Sequence, residues 1–252
     1  MKTRSILSAL VLLAAAAMSF TSCTEMAHKL AMKAVNESSG EFEKEDTVKW
    51  GSVTERDLDL PLFSAIDARG AVRVVFVQDS VFSVRVRGNE KCLDEYKFVV
   101  KKNELKVEPK NFSGKVNKNT SAVTLFVTAP NLTDIEFAGA GRLEMPGAMS
   151  LPGELNIEIE GAGEISIEDL TLTSLNVEIS GAGKCDIGKV TTTGDVEIEV
   201  NGAGEVKANV FCQDLSIEIN GAGNAVLSGE CRGTLSCEQS GAGKIDTSNL
   251  KR

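Results

Sequence analysis

The chain has 252 residues, 27 Lys and Arg against 36 Asp and Glu, and a net charge of −9. That acidity argues against nucleic acid as a partner, since phosphate contacts need clustered base, and a single histidine argues against multi-histidine metal sites and histidine catalysis. Glycine is abundant at 23 residues, proline scarce at 5, and 42% of residues are apolar, a composition of a folded chain with a core and not of a collagen-like or disordered one.

Residues 1–22 read as a secretory signal: Lys2 and Arg4, then an apolar run from Ile6 to Phe20, then small residues before Cys23. The run is 15 residues long, short of the roughly 20 needed to span a bilayer. Phe20-Thr21-Ser22-Cys23 resembles a bacterial lipobox, although the usual leucine three before the cysteine is missing. The resemblance implies lipidation of Cys23 and attachment of the mature chain to a membrane. Removing residues 1–22 takes away two bases and no acid, so the mature charge is −11. Residues 23–60 read as the lipidated N-terminus and a polar tether, with a short helix over 25–35 and His28 as a solvated side chain.

Residues 61–252 read as one all-β domain. Its first part alternates apolar and polar residues in short strands, such as Val72–Val77, Phe82–Arg87, Lys97–Val100, Leu105–Val107 and Val123–Val127, with turns at 78–80, 88–89 and 102–103 and a polar loop over 111–120. This part is expected to start the β stack of the second half and to cap one end of it.

From residue 132 to 250 the sequence repeats. Gly-Ala-Gly occurs six times, with its glycines at Gly139 and Gly141, Gly161 and Gly163, Gly181 and Gly183, Gly202 and Gly204, Gly221 and Gly223, and Gly241 and Gly243. Copies are 19 to 22 residues apart. Each is flanked by strict apolar–polar alternation, as in Leu155-Asn-Ile157-Glu-Ile159, the period of a half-buried strand. A unit with one apolar edge cannot bury it alone, whereas stacked units share a continuous core. The pattern predicts a right-handed parallel β-helix or β-solenoid with coils of about 20 residues and the triplets as structural corners. A phosphate-loop reading fails: Glu178 and Glu238 stand where its first glycine belongs, and Cys185 and Ile245 where Ser or Thr belongs.

Stacking makes each repeat position a column. Three residues before each triplet stands a glutamate: Glu136, Glu158, Glu178, Glu199, Glu218 and Glu238. These are the candidate binding face, with Asn and Ser in flanking columns. One bland role is to keep the sheet from pairing with others; a protein or glycan partner, or weak Ca²⁺ binding, is the sharper one. One place after the triplet, Arg142, Glu164, Lys184 and Glu205 alternate in sign as a cross-coil ladder. Cys185 and Cys237 occupy inward positions. Cys212 and Cys231 fall at nearly equal repeat offsets, within reach of a disulfide. Gln239 stands at an inward position, as suits a terminal cap.

The pattern from Phe63-Ser-Ala-Ile66 through Ala129-Pro-Asn-Leu132 to the six corners resembles the putative auto-transporter adhesin, head GIN domain family, over about residues 63–250. The resemblance implies a β-helical exported bacterial protein, often a lipoprotein, and an adhesin-like or envelope-binding role, on the periplasmic side or at the outer-membrane surface. It supplies no catalytic residues, and no cofactor, metal or enzyme activity is expected: the glutamate column lacks a distinct catalytic pair, and aromatic platforms for sugars are few. The alternatives are a structural or stress-related envelope lipoprotein without external ligand and, further off, a polysaccharide-active β-helix enzyme.

Overall fold

The computed structural model describes residues 52–110 and 123–252, which belong to one compact unit spanning 42–252. The predicted signal, Cys23, most of the tether and the loop over 111–120 lie outside the described residues. Among the described residues no helix is long and apolar enough to cross a membrane.

The repeat region folds as a parallel β-solenoid. β7 (Asp134–Ser150) runs through a whole coil. Each later coil splits into two strands around its triplet: β8 (Glu154–Gly161) and β9 (Glu164–Leu172), β10 (Ser174–Gly181) and β11 (Lys184–Thr192), β12 (Val196–Gly202) and β13 (Glu205–Cys212), β14 (Leu215–Gly221) and β15 (Asn224–Cys231), β16 (Leu235–Gly241) and β17 (Lys244–Lys251). Equivalent strands stack parallel and in register, so that Ile157, Val177, Ile198 and Ile217 form one continuous inward column, all buried. Apolar residues at every second position are what make this possible, because the pleat sends alternate side chains to opposite faces.

Pro146-Gly147 and Gly188-Lys189 are bulges within strands, each an extra residue against its parallel partner, and β17 carries a third between Asp246 and Asn249. The register slips between Met145 and Ala148, Ile187 and Val190, and Val226 and Ser228. Each slip resets the alternation, so Ile167 and Leu170, three apart, both point inward. A bulge bends its strand, which gives the coil a second corner.

The triplet corner has a steric cause visible at Gly181 and Gly183. Gly181 has φ +139°, and a Cβ there would lie 2.3 Å from the Gly161 carbonyl oxygen of the coil before. A Cβ at Gly183 would meet the Ile179 side chain at 2.5 Å. The first glycine lets coils approach; the second makes room for the inward residue four positions back.

The first part of the domain joins the stack more intimately than its sequence suggests. β2 (Ala65–Gln78) pairs along β7 from Ala65–Asp134 to Val75–Glu144 and forms a further coil. Its corner is Gly70-Ala71-Val72, in register with Gly139-Ala140-Gly141, and Gly70 has φ +95°. The corner is therefore present in this half in a degenerate form. β5 (Glu104–Pro109) and β6 (Val123–Ala129) lie parallel to β2 on its other side.

Antiparallel strands then close that end: β4 (Tyr96–Lys101) on β5, β3 (Ser83–Asn89) on β6, and β1 (Val53–Asp57) on β3. β1 falls in the segment assigned by sequence to the tether. The predicted turn at 88–89 is instead the end of β3, leading into α1 (Glu90–Asp94), whose Cys92 and Leu93 are buried in the cap. The turn at Lys102-Asn103 is a two-residue hairpin with φ of 52° and 66°, the geometry that matches strand twist.

The opposite end is uncovered. Cys237 and Gln239 occupy inward positions of β16, yet both are exposed, because nothing among the described residues stacks beyond them. Cys237 is thus not the buried apolar residue its position in the repeat implies. Gln239 caps locally, its amide donating to the Gly243 carbonyl across the last corner.

Candidate acidic face

The sheet preceding the triplets carries the acidic column. The registers place Glu136, Glu158, Glu178, Glu199, Glu218 and Glu238 side by side on successive coils. Their side chains lie on the outer surface, because Ile135, Ile157, Val177, Ile198 and Ile217 on their N-terminal side are the buried ones. The column extends one coil further than the repeat motif indicates. Asp67 of β2 is in register with Glu136. The signal was available: Asp67 stands three residues before Gly70, as each glutamate stands three before its triplet.

Neighbouring carboxylates along such a column sit about 4.8 Å apart, and each pair costs about 0.8 kcal/mol in water before screening. The structure shows how this repulsion is offset. On the C-terminal side of the column, Asn201 donates to Glu199 and Asn220 to Glu218, both at 2.7 Å, and Ser180 to Glu178 at 3.3 Å. Asn220 also donates to Asn201 at 3.1 Å, linking coils. On the other side Asn156 donates to Asp134 at 3.1 Å.

Asp67 is the one buried acid of the column, 3% exposed, and it is held by bases. Arg69 donates to it at 3.1 Å and Lys106, its partner in β5, at 2.9 Å. Burial pushes the Asp67 carboxyl up, but these hydrogen bonds and charges outweigh it and hold the group below its ordinary value. Lys106 also pairs with Glu104 at 2.8 Å. Further along the column no base intervenes in register, and the direction reverses. Partial burial, then the charges of Asp67 and Glu158, raise Glu136; burial, then Glu178 and Glu160, raise Glu158.

Among the described residues no group of three or more His, Cys, Asp or Glu side chains is arranged to hold a metal ion. The donors form a flat ladder, and Ca²⁺ takes 6–8 oxygens around a point.

The sheet after the triplets is of mixed charge. Arg142 and Glu164 are in register and close an ion pair at 2.6 Å. Arg73 of β2, opposite Arg142, turns instead to Glu144, also at 2.6 Å, with both side chains half-buried. Lys184 continues between Glu164 and Glu205. The two sheets therefore differ: one is acid and amide, the other balanced.

A parallel β-solenoid with a polar ladder and an antiparallel cap defines a class of scaffold that displays a surface along stacked coils. The particular member follows from the comparisons. The profile of the family described as "Putative auto-transporter adhesin, head GIN domain" matches residues 62–192 and again 185–252, and the chain belongs to that family. The fold is shared with the crystal structure of a putative adhesin from Bacteroides fragilis NCTC 9343, at a TM-score of 0.60 and 23% identity, covering 77% of this chain and 96% of that one. A putative adhesin from Parabacteroides distasonis ATCC 8503 is similar at a TM-score of 0.50 and 16% identity, covering 78% and 97%. No curated protein matches the chain.

Proposed function

We propose that the chain is an exported, non-enzymatic adhesin-like module, anchored to a membrane through a lipid on Cys23, that uses its acidic face to bind a protein or glycan partner. The observation that carries this reading is the in-register column from Asp67 to Glu238 with its amide and hydroxyl flank. Packing does not demand it, and it is kept against mutual repulsion. An aligned row of carboxylates beside amides suits basic peptide segments or the hydroxyls of a glycan, held by hydrogen bonds and charge over several coils.

Membership in an adhesin family and the likeness in fold support export and a surface role. The leader at 1–22 and the lipobox-like residues before Cys23 support the anchor. The test is protease accessibility on intact cells. A surface binding module is cleaved by added protease without lysis. Full protection, with cleavage only after the outer membrane is opened, contradicts adhesion and favours a structural envelope lipoprotein.

A further inference from the structure

We propose that Cys212 and Cys231 form a redox site, a buried dithiol that closes to a disulfide joining two adjacent coils next to the last coil of the solenoid. Cys212 ends β13 and Cys231 ends β15, and the two are partners in register. Parallel neighbours in register have Cα atoms about 4.8 Å apart, inside the roughly 4.4–6.8 Å a disulfide spans. Both side chains enter the same core, at 3% and 1% exposure. Cys231 donates to the carbonyls of Thr234 at 3.2 Å and Gln213 at 3.5 Å.

The other cysteines of the stack lack this placement. Cys185 lies between Ile165 and Val206, and Cys237 opposite Ile217. All five cysteines of the described residues are thiols in this structure.

Closure needs an oxidant, which we assign to the class of small-molecule disulfides. One cysteine thiolate attacks a sulfur of that disulfide, forms a mixed disulfide and expels one half as a thiol. The second cysteine attacks the protein sulfur of the mixed disulfide and expels the other half. The protein gives up two protons and two electrons, one S–S bond forms in it, and the oxidant leaves as two thiols. Burial, then the neighbouring Cys231, holds the Cys212 thiol up at about 12, so thiolate is scarce and closure waits on local opening of the terminal coils. The same burial shields the finished bond from reductants.

The sequence offers a clean assay. Trypsin releases residues 208–232 as one peptide holding both cysteines, because no Lys or Arg lies between Lys207 and Arg232, while Cys237 falls in the separate peptide 233–244. The folded chain is incubated with glutathione disulfide, then denatured, alkylated and digested without reductant. The expected result is a 208–232 peptide lighter by two hydrogens and unalkylated. The Cys237→Ser variant keeps that result and Cys212→Ser abolishes it. A 208–232 peptide alkylated at both cysteines, carrying glutathione, or cross-linked to 233–244 overturns the proposal.

Discussion

Gly181 and Gly153 separate two meanings of glycine in this chain. Gly181 sits at φ +139° with no room for a Cβ, whereas a Cβ at Gly153 would meet nothing within 4 Å. Gly181→Ala must therefore move two coils apart or strain the backbone, and is expected to cost about 2 kcal/mol or more. Gly153→Ala is expected to change stability by less than about 0.5 kcal/mol. Denaturant melts of the two variants check this; equal effects contradict the steric account of the corner. The same scale explains what the sequence hid. Asp67 looked like an ordinary strand residue because its corner, Arg69-Gly70-Ala71-Val72, keeps only the first glycine and the alanine of the motif. That glycine has the positive φ of the motif, +95°, and a Cβ on it would come to 3.0 Å from the Tyr96 hydroxyl.

At the scale of the element, the strands and their register were legible because three signals agree: two-residue alternation, a fixed interval, and a corner motif with a steric reason. The bulge at Pro146-Gly147 was not legible as one, because Gly147, with φ of +81°, announces a bend without saying whether the chain reverses. Only the parallel partner on each side settles that. The cap was legible as strands but not as topology, since pairing β4 to β5 and β3 to β6 depends on long-range contacts that alternation does not encode.

The acidic column behaves as an element of its own. Glu136 and Glu158 have folded-state values above the ordinary 4.5, so the folded chain binds their protons more tightly than the unfolded one. Their destabilising effect at neutral pH is relieved as pH falls through those raised values. Asp67 works the other way: held below its ordinary value of 3.8, it stabilises the fold above that value and loses this only as pH falls through its depressed one. Thermal melts are therefore expected to show Tm rising as pH falls from 7 toward the ordinary glutamate value of 4.5, and falling once pH drops below the ordinary aspartate value of 3.8. A steady fall of Tm from pH 7 to pH 5 contradicts this balance.

For the molecule as a whole, the net charge is unevenly placed. Residues 52–110 carry 11 bases against 10 acids, and residues 123–252 carry 8 against 20. The cap is close to neutral, and the coils from β7 onward hold a charge of −12, much of it on one sheet. Composition alone gave the acidity but not its address; the repeat gave the address of six acids, and the register of β2 added the seventh. A concentrated face of one sign steers and holds partners of the other, with a dependence on salt.

Binding by this face is the proposed role of the chain. Its most direct test is retention of the purified chain on an array of immobilised polysaccharides and extracellular-matrix proteins, beside a variant with Glu158, Glu178, Glu199 and Glu218 all changed to Gln. The native chain is expected to be retained on a subset of the array, with retention weakened by salt, and the folded variant to lose most of it. Equal retention of the two chains, or none by the native chain on any surface, contradicts it.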